Sequence, residues 1–310
     1  MKQTIIIIFI LMMNNVLFAS ADSVFSFRFR SDVTITVDYP KNFSSKNKTQ
    51  LVLFALPNGN TTAQTMGKQL KAGDDWHFDI QHIAAQTRFV RNKINYENIV
   101  VVYLENDLKS WPQWKKNHEN YTTIISSIVD TIIKVSAVQV YSLHLNSHSG
   151  GGAFVFGFIQ SQKQIPDYID RISFLDSDYG YDSTFKEKII DWLKATSFHH
   201  LTVFAYNDSV VVYNGKPLVS PTGGTWYRSK LMMKDLSDKF TFKVVRNDSV
   251  VQYSANSQIN FFLVDNPEKK IFHTVQVERN GFIHSMLIGT KQENKNYLYW
   301  NKRAYENFIQ

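Results

Sequence analysis

Five short runs of apolar and β-branched residues recur along the chain, and segments with helical periodicity separate most of them. The runs cover residues 51–56, 99–104, 138–145, 172–175 and 201–206. Strands that are apolar throughout are typical of a parallel sheet that helices cover on both faces, because a strand with one wet face alternates apolar and polar residues. The sequence therefore predicts an α/β fold with a mostly parallel central sheet flanked by helices on both faces.

The helical segments carry apolar residues at three- and four-residue spacing, which is the pattern of one buried helix face. They cover residues 76–93, 121–135, 151–161, 184–194 and 226–236. Before the first central strand, two runs at 24–30 and 33–39 alternate apolar and polar residues and predict an antiparallel strand pair.

The last quarter of the chain departs from this rhythm. A strand is expected over 240–245, and we interpret residues 250–280 as an insertion or an extra hairpin within the domain. Strand-like runs at 259–264 and 271–277 lie inside it, and a closing helix is expected over 300–309.

The first 21 residues have the pattern of a secretory signal peptide. Lys2 precedes nine consecutive apolar residues, and the small residues Ala19, Ser20 and Ala21 close the segment. The alternative is a membrane anchor, but the apolar stretch is shorter than the ~20 residues that span a bilayer. We expect cleavage after Ala21, a single domain over residues 22–310, a secreted or periplasmic location and no stable membrane insertion.

Composition excludes several kinds of site. The chain has no Cys, which excludes disulfides and thiolate metal sites. Its net charge of +7 comes from 34 basic and 27 acidic residues without a basic cluster, so no nucleic-acid partner is expected. No H-E-x-x-H motif occurs, and the sequence predicts neither a metal nor a cofactor.

The motif Ser147-His148-Ser149-Gly150-Gly151-Gly152 follows an apolar strand and leads into an apolar helix. A serine at the tip of such a turn projects from the backbone, and small neighbours prevent clashes. The G-x-S-x-G pattern has a Gly at its first position, where this chain has Ser147. A glycine-rich phosphate-binding or packing turn is the alternative, but the G-x-G-x-x-G spacing of a dinucleotide loop is absent.

At this motif the sequence resembles the α/β-hydrolase superfamily, and the resemblance extends over most of the chain in element order. It implies a nucleophilic Ser149 followed along the chain by an acid and then a histidine. We predict His284 as the base. It lies late in the chain, and it stands between a turn and an apolar segment. His273 is interpreted as a histidine on a strand face. Asp208, directly after the strand at 201–206, is the predicted acid, and Asp176 is the alternative.

The resemblance also implies two backbone donors for an oxyanion. The N–H of Gly150 is one, and Gly59 or Asn60 supplies the other from the loop after the first central strand. A plain Pro-Asn-Gly turn is the alternative for that loop.

Side chains that follow other strands are expected above the same edge of the sheet, where open α/β folds bind ligands. His148, Tyr179 and Trp226 are the predicted substrate-binding residues.

Taken together, these residues predict an exported serine hydrolase that cleaves an ester or amide through an acyl-enzyme on Ser149. A carboxylic ester is the more favoured substrate, and it is either a small molecule or part of a polymer. A non-catalytic ligand- or glycan-binding protein on the same fold and a peptidase of the same superfamily are the alternatives. The residues do not specify the substrate or the oligomeric state.

Overall fold

The computed structural model describes residues 24–136 and 140–310. The predicted signal peptide, residues 1–21, lies outside the described residues, and so do the first two positions of the strand predicted over 138–145. None of the helices in the described ranges combines the length and hydropathy that crossing a bilayer requires.

Ten strands of the described chain form one sheet, and two very short strands pair separately. The ten are β1 Val24–Phe29, β2 Val33–Asp38, β3 Thr49–Ala55, β4 Asn98–Asn106, β5 Val140–His148, β6 Ile169–Leu175, β7 His200–Tyr206, β10 Lys243–Asn247, β11 Val250–Ala255 and β12 Ile259–Val264. The separate pair is β8 Val212–Tyr213 with β9 Lys216–Pro217.

Strand order across the sheet is β1-β2-β4-β3-β5-β6-β7-β12-β11-β10. Six central strands pair in parallel, in the order β4, β3, β5, β6, β7 and β12. The edge strands β1 and β2 on one side and β11 and β10 on the other pair antiparallel. This arrangement confirms the predicted fold class, including the antiparallel N-terminal pair.

Helices cover both faces of the sheet. Their bounds are α1 Thr62–Met66, α2 Ile83–Lys93, α3 Trp111–Lys116, α4 Tyr121–Val135, α5 Gly152–Ser161, α6 Lys186–Ala195, α7 Thr225–Leu236, α8 Val275–Glu278 and α9 Gly281–Leu287. Successive residues of a strand point to opposite faces, so Leu53 of β3 enters the core with α4 and α5, whereas Phe54 enters a second core with α2 and α9.

Two predicted elements are wrong, and in both segments a side chain distant in sequence forms hydrogen bonds that a regular strand or helix would not have. Residues 271–277, predicted as a strand, form a turn that leads into α8, and His273 within this turn is held by Asp176. Residues 300–309, predicted as a helix, are turns with one short 3₁₀ segment. There the Asn280 side chain donates to the carbonyl of Lys302 and accepts from the N–H of Ala304.

The predicted helix over 76–93 is split into two pieces. A 3₁₀ turn over Trp76–Asp79 precedes α2, and His82 between them has a φ of +46°. The residues interpreted as an insertion include the antiparallel strands β11 and β12, and β12 extends the parallel sheet beside β7.

Candidate active site

The carboxyl ends of the parallel strands meet at one edge of the sheet, and the motif around Ser149 lies there. His148 at the end of β5 is in register with Leu175 at the end of β6. Ser149 and Asp176 are the next residues, and each has a positive φ, +53° and +46°. Two neighbouring strands therefore end in tight turns that lift a serine and an aspartate above the same edge.

The turn after Ser149 is tightly packed against neighbouring backbone. A Cβ on Gly151 would lie 2.1 Å from the carbonyl oxygen of Ala55, and one on Gly152 would lie 1.7 Å from that of Ser177. Only glycine fits at these positions without moving a strand end, which explains the glycine run that follows the serine.

His273 and Asp176 form a hydrogen-bonded pair at this edge. The carboxylate of Asp176 is fully buried and accepts from Nδ1 of His273 on one oxygen and from the Thr225 hydroxyl on the other. Since a carboxylate only accepts, His273 carries its proton on Nδ1. Its Nε2 is then free to take a proton from another group.

His273 lies against His148, the residue that precedes Ser149. The two imidazole rings are 4.8 Å apart between centroids, and Nε2 of His148 donates to the backbone carbonyl of His273 at 3.3 Å. Burial lowers the pKa of His148 well below its usual value, so this ring stays neutral. His148 directly precedes Ser149, so the contact ties His273 to the start of the serine turn. The side chain of His148, a predicted substrate-binding residue, is buried beneath the edge.

The structure places His284, the predicted base, elsewhere. It lies on α9, where its Nδ1 is 2.9 Å from the Tyr297 hydroxyl and its ring packs 4.7 Å from Phe262 and 5.7 Å from Tyr299. Burial lowers the pKa of His284 to about 3. This imidazole therefore sits in an aromatic core, and the structure does not bring it together with Ser149 and the acids.

Asp208, the acid predicted first, follows β7 but does not contact His273 through any hydrogen bond of the described residues. Its Oδ2 accepts from the backbone N–H of Thr225 at 2.9 Å, so it caps the N-terminus of α7. Burial and then the nearby Asp176 raise the pKa of Asp208 to about 6. Of the two predicted acids, Asp176, the alternative, is the one that pairs with a histidine.

A third buried acid completes this region. Asp178 accepts at 2.8 Å from the hydroxyl of Ser229, and burial raises the pKa of this carboxyl well above its usual range. Burial therefore disfavours the ionised form of Asp178.

The loop after β3 reaches the serine through Asn58. A Cβ on Gly150 would lie 2.0 Å from Oδ1 of Asn58, so the two residues are in close contact. The N–H of Gly59 is already donated to the carbonyl of Lys109 at 2.8 Å, and the Asn60 side chain is buried with no partner for its Nδ2 among the described residues. Of the predicted oxyanion donors, the structure therefore places Gly150 at the serine and directs Gly59 away from it.

An open cleft of about 730 Å³ lies over the serine turn. Ser149, Gly150 and Tyr179 line it, together with Asn58. Its remaining walls come from α3, the start of α4, the start of α5 and the turn after β6, with the lining residues Pro112, Lys115, Lys116, Tyr121, Ala153, Ser177 and Gly180.

Trp226, a predicted substrate-binding residue, is not among the residues that line the cleft. Its ring packs against the core, and the ammonium of Lys230 lies 4.3 Å above it. Across the described ranges, no group of three or more His, Asp or Glu side chains is arranged to hold a metal ion.

Comparison with known proteins identifies the fold. No protein-family model and no curated protein sequence matches the chain. A solved structure of a feruloyl esterase module from Clostridium thermocellum, in complex with sinapinate, matches with a TM-score of 0.54 at 10% identity and covers 89% of this chain and 90% of the module. A protein named FAE matches with a TM-score of 0.51 at 10% identity, over 91% of this chain and 93% of that one.

A thermostable esterase is more similar in sequence but less similar in structure. It is 15% identical with a TM-score of 0.49, and the match covers 85% of this chain. This chain spans 59% of the thermostable esterase's length. At these identities, the likeness to the structures concerns the fold.

Proposed function

This chain has the α/β-hydrolase fold, and we propose that it uses the fold as a serine hydrolase that cleaves carboxylic esters. Ser149 is the nucleophile, His273 is the base and Asp176 is the acid. The observation that carries the proposal is the His273–Asp176 hydrogen bond beside the serine turn, because it leaves Nε2 of the imidazole free for the serine proton.

The proposed reaction proceeds in two halves. Ser149 Oγ attacks the ester carbonyl while Nε2 of His273 takes its proton, and Asp176 stabilises the imidazolium that forms. The N–H of Gly150 donates to the oxyanion, and the Asn58 segment supplies the second donor. His273 then protonates the leaving alcohol, and a water molecule activated by the same imidazole hydrolyses the acyl-enzyme.

Ester cleavage is favoured over the alternatives by two kinds of support. The solved structures with a TM-score above 0.5 include a feruloyl esterase. A binding protein without catalysis has no need of a histidine held by a buried carboxylate. Burying a carboxylate costs free energy, so such a pair indicates that the charge has a role.

Fluorophosphonate labelling of the folded protein tests the nucleophile and the base. We expect wild type to label, Ser149→Ala to lose all labelling and His273→Ala to label at least 100-fold more slowly. His284→Ala is the matched control, since it removes a buried imidazole outside the cleft, and it should label at close to the wild-type rate where it folds. Slower labelling of folded His284→Ala than of His273→Ala would restore the base predicted from the sequence.

We also propose that the protein is exported and that its first 21 residues are removed. Export with cleavage after Ala21 leaves Asp22 as the first residue. Expression in a host with a general secretory pathway, followed by intact-mass measurement of the exported protein, tests this. A mass that includes residues 1–21, or retention in the membrane fraction, would contradict the proposal.

A further inference from the structure

Two lysines of α3 line the cleft that contains Ser149. Lys115 is partly buried and Lys116 is exposed, and both belong to the last turn of the helix. The ammonium of Lys115 lies 4.5 Å from the ring centroid of Tyr121, which also lines the cleft. The cation is thus held at the wall by an aromatic face instead of extending into solvent.

Neither lysine has a carboxylate partner among the residues that the structure describes, in contrast to Lys186, which pairs with Asp238. Burial, with no compensating acid, lowers the pKa of Lys115. A partly desolvated ammonium without an anion carries a free-energy cost that an anionic ligand removes on binding.

The other described residues that line the cleft do not supply that anion. None of them is an Asp or a Glu. Asp178, next to Tyr179 in the chain, is buried, and burial raises the pKa of its carboxyl well above the usual range. Asp176 is bonded to His273 and to Thr225. The positive charge at the α3 wall is therefore left for a bound molecule.

We propose that the ester cleaved by this protein carries a carboxylate, and that Lys115 and Lys116 bind this group while the ester carbonyl lies at Ser149. The inference rests on the proposed ester hydrolase and extends it from a reaction to a class of substrate. Lys115 is the principal ligand because its position is fixed by Tyr121, and Lys116 adds a second, more mobile positive charge.

Binding to the Ser149→Ala protein tests charge recognition without turnover. The probes are 4-acetoxyphenylacetate and the corresponding amide, which differ only in the charge of the group far from the ester. By titration calorimetry, we expect the acid to bind about tenfold more tightly than the amide, as one charge-assisted hydrogen bond predicts. Adding Lys115→Gln should reduce this preference to less than about threefold.

Lys93→Gln in the same background is the matched control. Lys93 lies in the last turn of α2, is also partly buried and has its ammonium 5.3 Å from the ring of Phe89, but it does not line the cleft. The control removes one positive charge and one cation–ring contact, so it should leave the preference for the acid unchanged. Equal binding of acid and amide, or an equal loss in both lysine variants, would overturn the inference.

Hydrolysis by the wild-type protein locates the carboxylate and separates the two proposals. The acetoxy pair carries the charge on the leaving group, and 4-nitrophenyl hydrogen adipate with its methyl ester carries it on the acyl group. A preference in kcat/KM for the charged member of one pair identifies the side that the lysines bind. Equal hydrolysis within both pairs would retain the ester hydrolase and reject the lysine site. Charge-selective binding without hydrolysis of any ester would reject the hydrolase and retain anion recognition.

Discussion

Asp176 and Asp208 follow neighbouring strands and share Thr225, but they bond to it differently. The hydroxyl of Thr225 donates to Asp176, and its backbone N–H donates to Asp208. Only Asp176 also contacts His273. The proposed mechanism therefore needs the charge of Asp176 to hold the imidazole, while Asp208 supports the start of α7.

Replacing each acid by its amide separates these roles. Asp176→Asn removes the acceptor that fixes the His273 tautomer, so we expect kcat to fall by about 10³- to 10⁴-fold. Asp208→Asn retains an oxygen for the Thr225 N–H and should lower kcat by less than about tenfold. Steady-state rates on an activated ester, with circular dichroism to verify folding, provide the measurement. A larger loss in Asp208→Asn would identify Asp208 as the acid.

Asp208 also predicts a pH-dependent stability. Its pKa of about 6 exceeds the ~3.8 of an unfolded carboxyl, so the folded protein binds more protons between these values. Through this group, the free energy of unfolding therefore falls as pH rises from about 4 to 6, by up to about 3 kcal/mol. Asp208→Asn should raise stability at pH 8 by about 2 kcal/mol and have little effect at pH 4.

Urea unfolding at the two pH values measures this difference, and Asp178→Asn is a second test of the same effect. Burial raises the pKa of the Asp178 carboxyl well above its usual range, so its amide should likewise raise stability more at pH 8 than at pH 4. If Asp208→Asn gave the same shift at both values, the burial of an ionised Asp208 would not be the cause.

In the candidate site, the sequence points to a residue where the cue is local. Ser149 and Gly150 belong to a turn motif whose geometry the sequence specifies within six residues. The sequence does not point to His273, because this residue lies in a run that alternates like a strand. Its partner Asp176 is 97 residues away in the chain, and no spacing rule links the two. The position of His273 after β12, the last parallel strand along the chain, is the sequence feature that could have indicated it as a candidate base.

At the scale of elements, the serine turn depends on how closely β5, β6 and α5 approach each other. Gly152→Ala would direct a methyl group into the carbonyl of Ser177, a backbone atom that cannot move aside. We expect a loss of at least about 3 kcal/mol in the free energy of unfolding, with loss of labelling at Ser149. Urea denaturation and fluorophosphonate labelling are the measurements.

Gly157→Ala is the matched variant in the same helix. Its Cβ would lie 2.6 Å from Cδ1 of Ile125, the flexible end of a side chain, and at an ordinary contact distance of 3.7 Å from the Tyr121 ring. Since alanine is favoured over glycine in a helix by about 1 kcal/mol, the two effects offset each other and stability should change by less than about 1 kcal/mol. A Gly152→Ala protein as stable and as reactive as this one would show that the turn tolerates wider spacing.

Elements were predictable where burial alone determines them. The central strands are apolar on both faces, so their composition specifies a covered parallel sheet whatever the contacts are. The turn at 271–277 and the irregular segment at 300–309 are instead determined by single polar side chains, Asp176 and Asn280, which lie on other elements. Periodicity contains no information about such contacts, and both segments were assigned incorrectly.

At the scale of the whole molecule, each face of the sheet has its own core, and a histidine is buried against both. On the face with α4 and α5, His199 is buried and stacks 4.9 Å from the core residue Trp192. The core with α2 and α9 also encloses His284, and the C-terminal residues Tyr297 and Tyr305 close it. Neutral histidines buried in this way make the stability of the entire fold sensitive to acid.

Among the described residues, four histidines have a lowered pKa, and burial is the main cause for each. Burial lowers the pKa of His284 to about 3 and that of His200 to about 4, and it lowers the pKa of His148 and of His82 below the usual value. Because an unfolded histidine titrates near ~6.5, the unfolded chain binds more protons below that pH. Each group therefore contributes stability above pH ~6.5 that is lost as pH falls toward its folded pKa.

These histidines favour acid unfolding, with a sign opposite to that of Asp208 and Asp178, and His284 isolates one share of the effect. In His284→Gln, the slope of unfolding free energy against pH between 6 and 4 should decrease by about 1.4 kcal/mol per pH unit, the value for one proton. Tyr297→Phe removes the hydroxyl bonded to His284 but leaves the imidazole buried, so it should retain the wild-type slope. Urea unfolding at pH 4, 5 and 6 measures the slopes, and an unchanged slope in His284→Gln would mean that this histidine is protonated within the folded core.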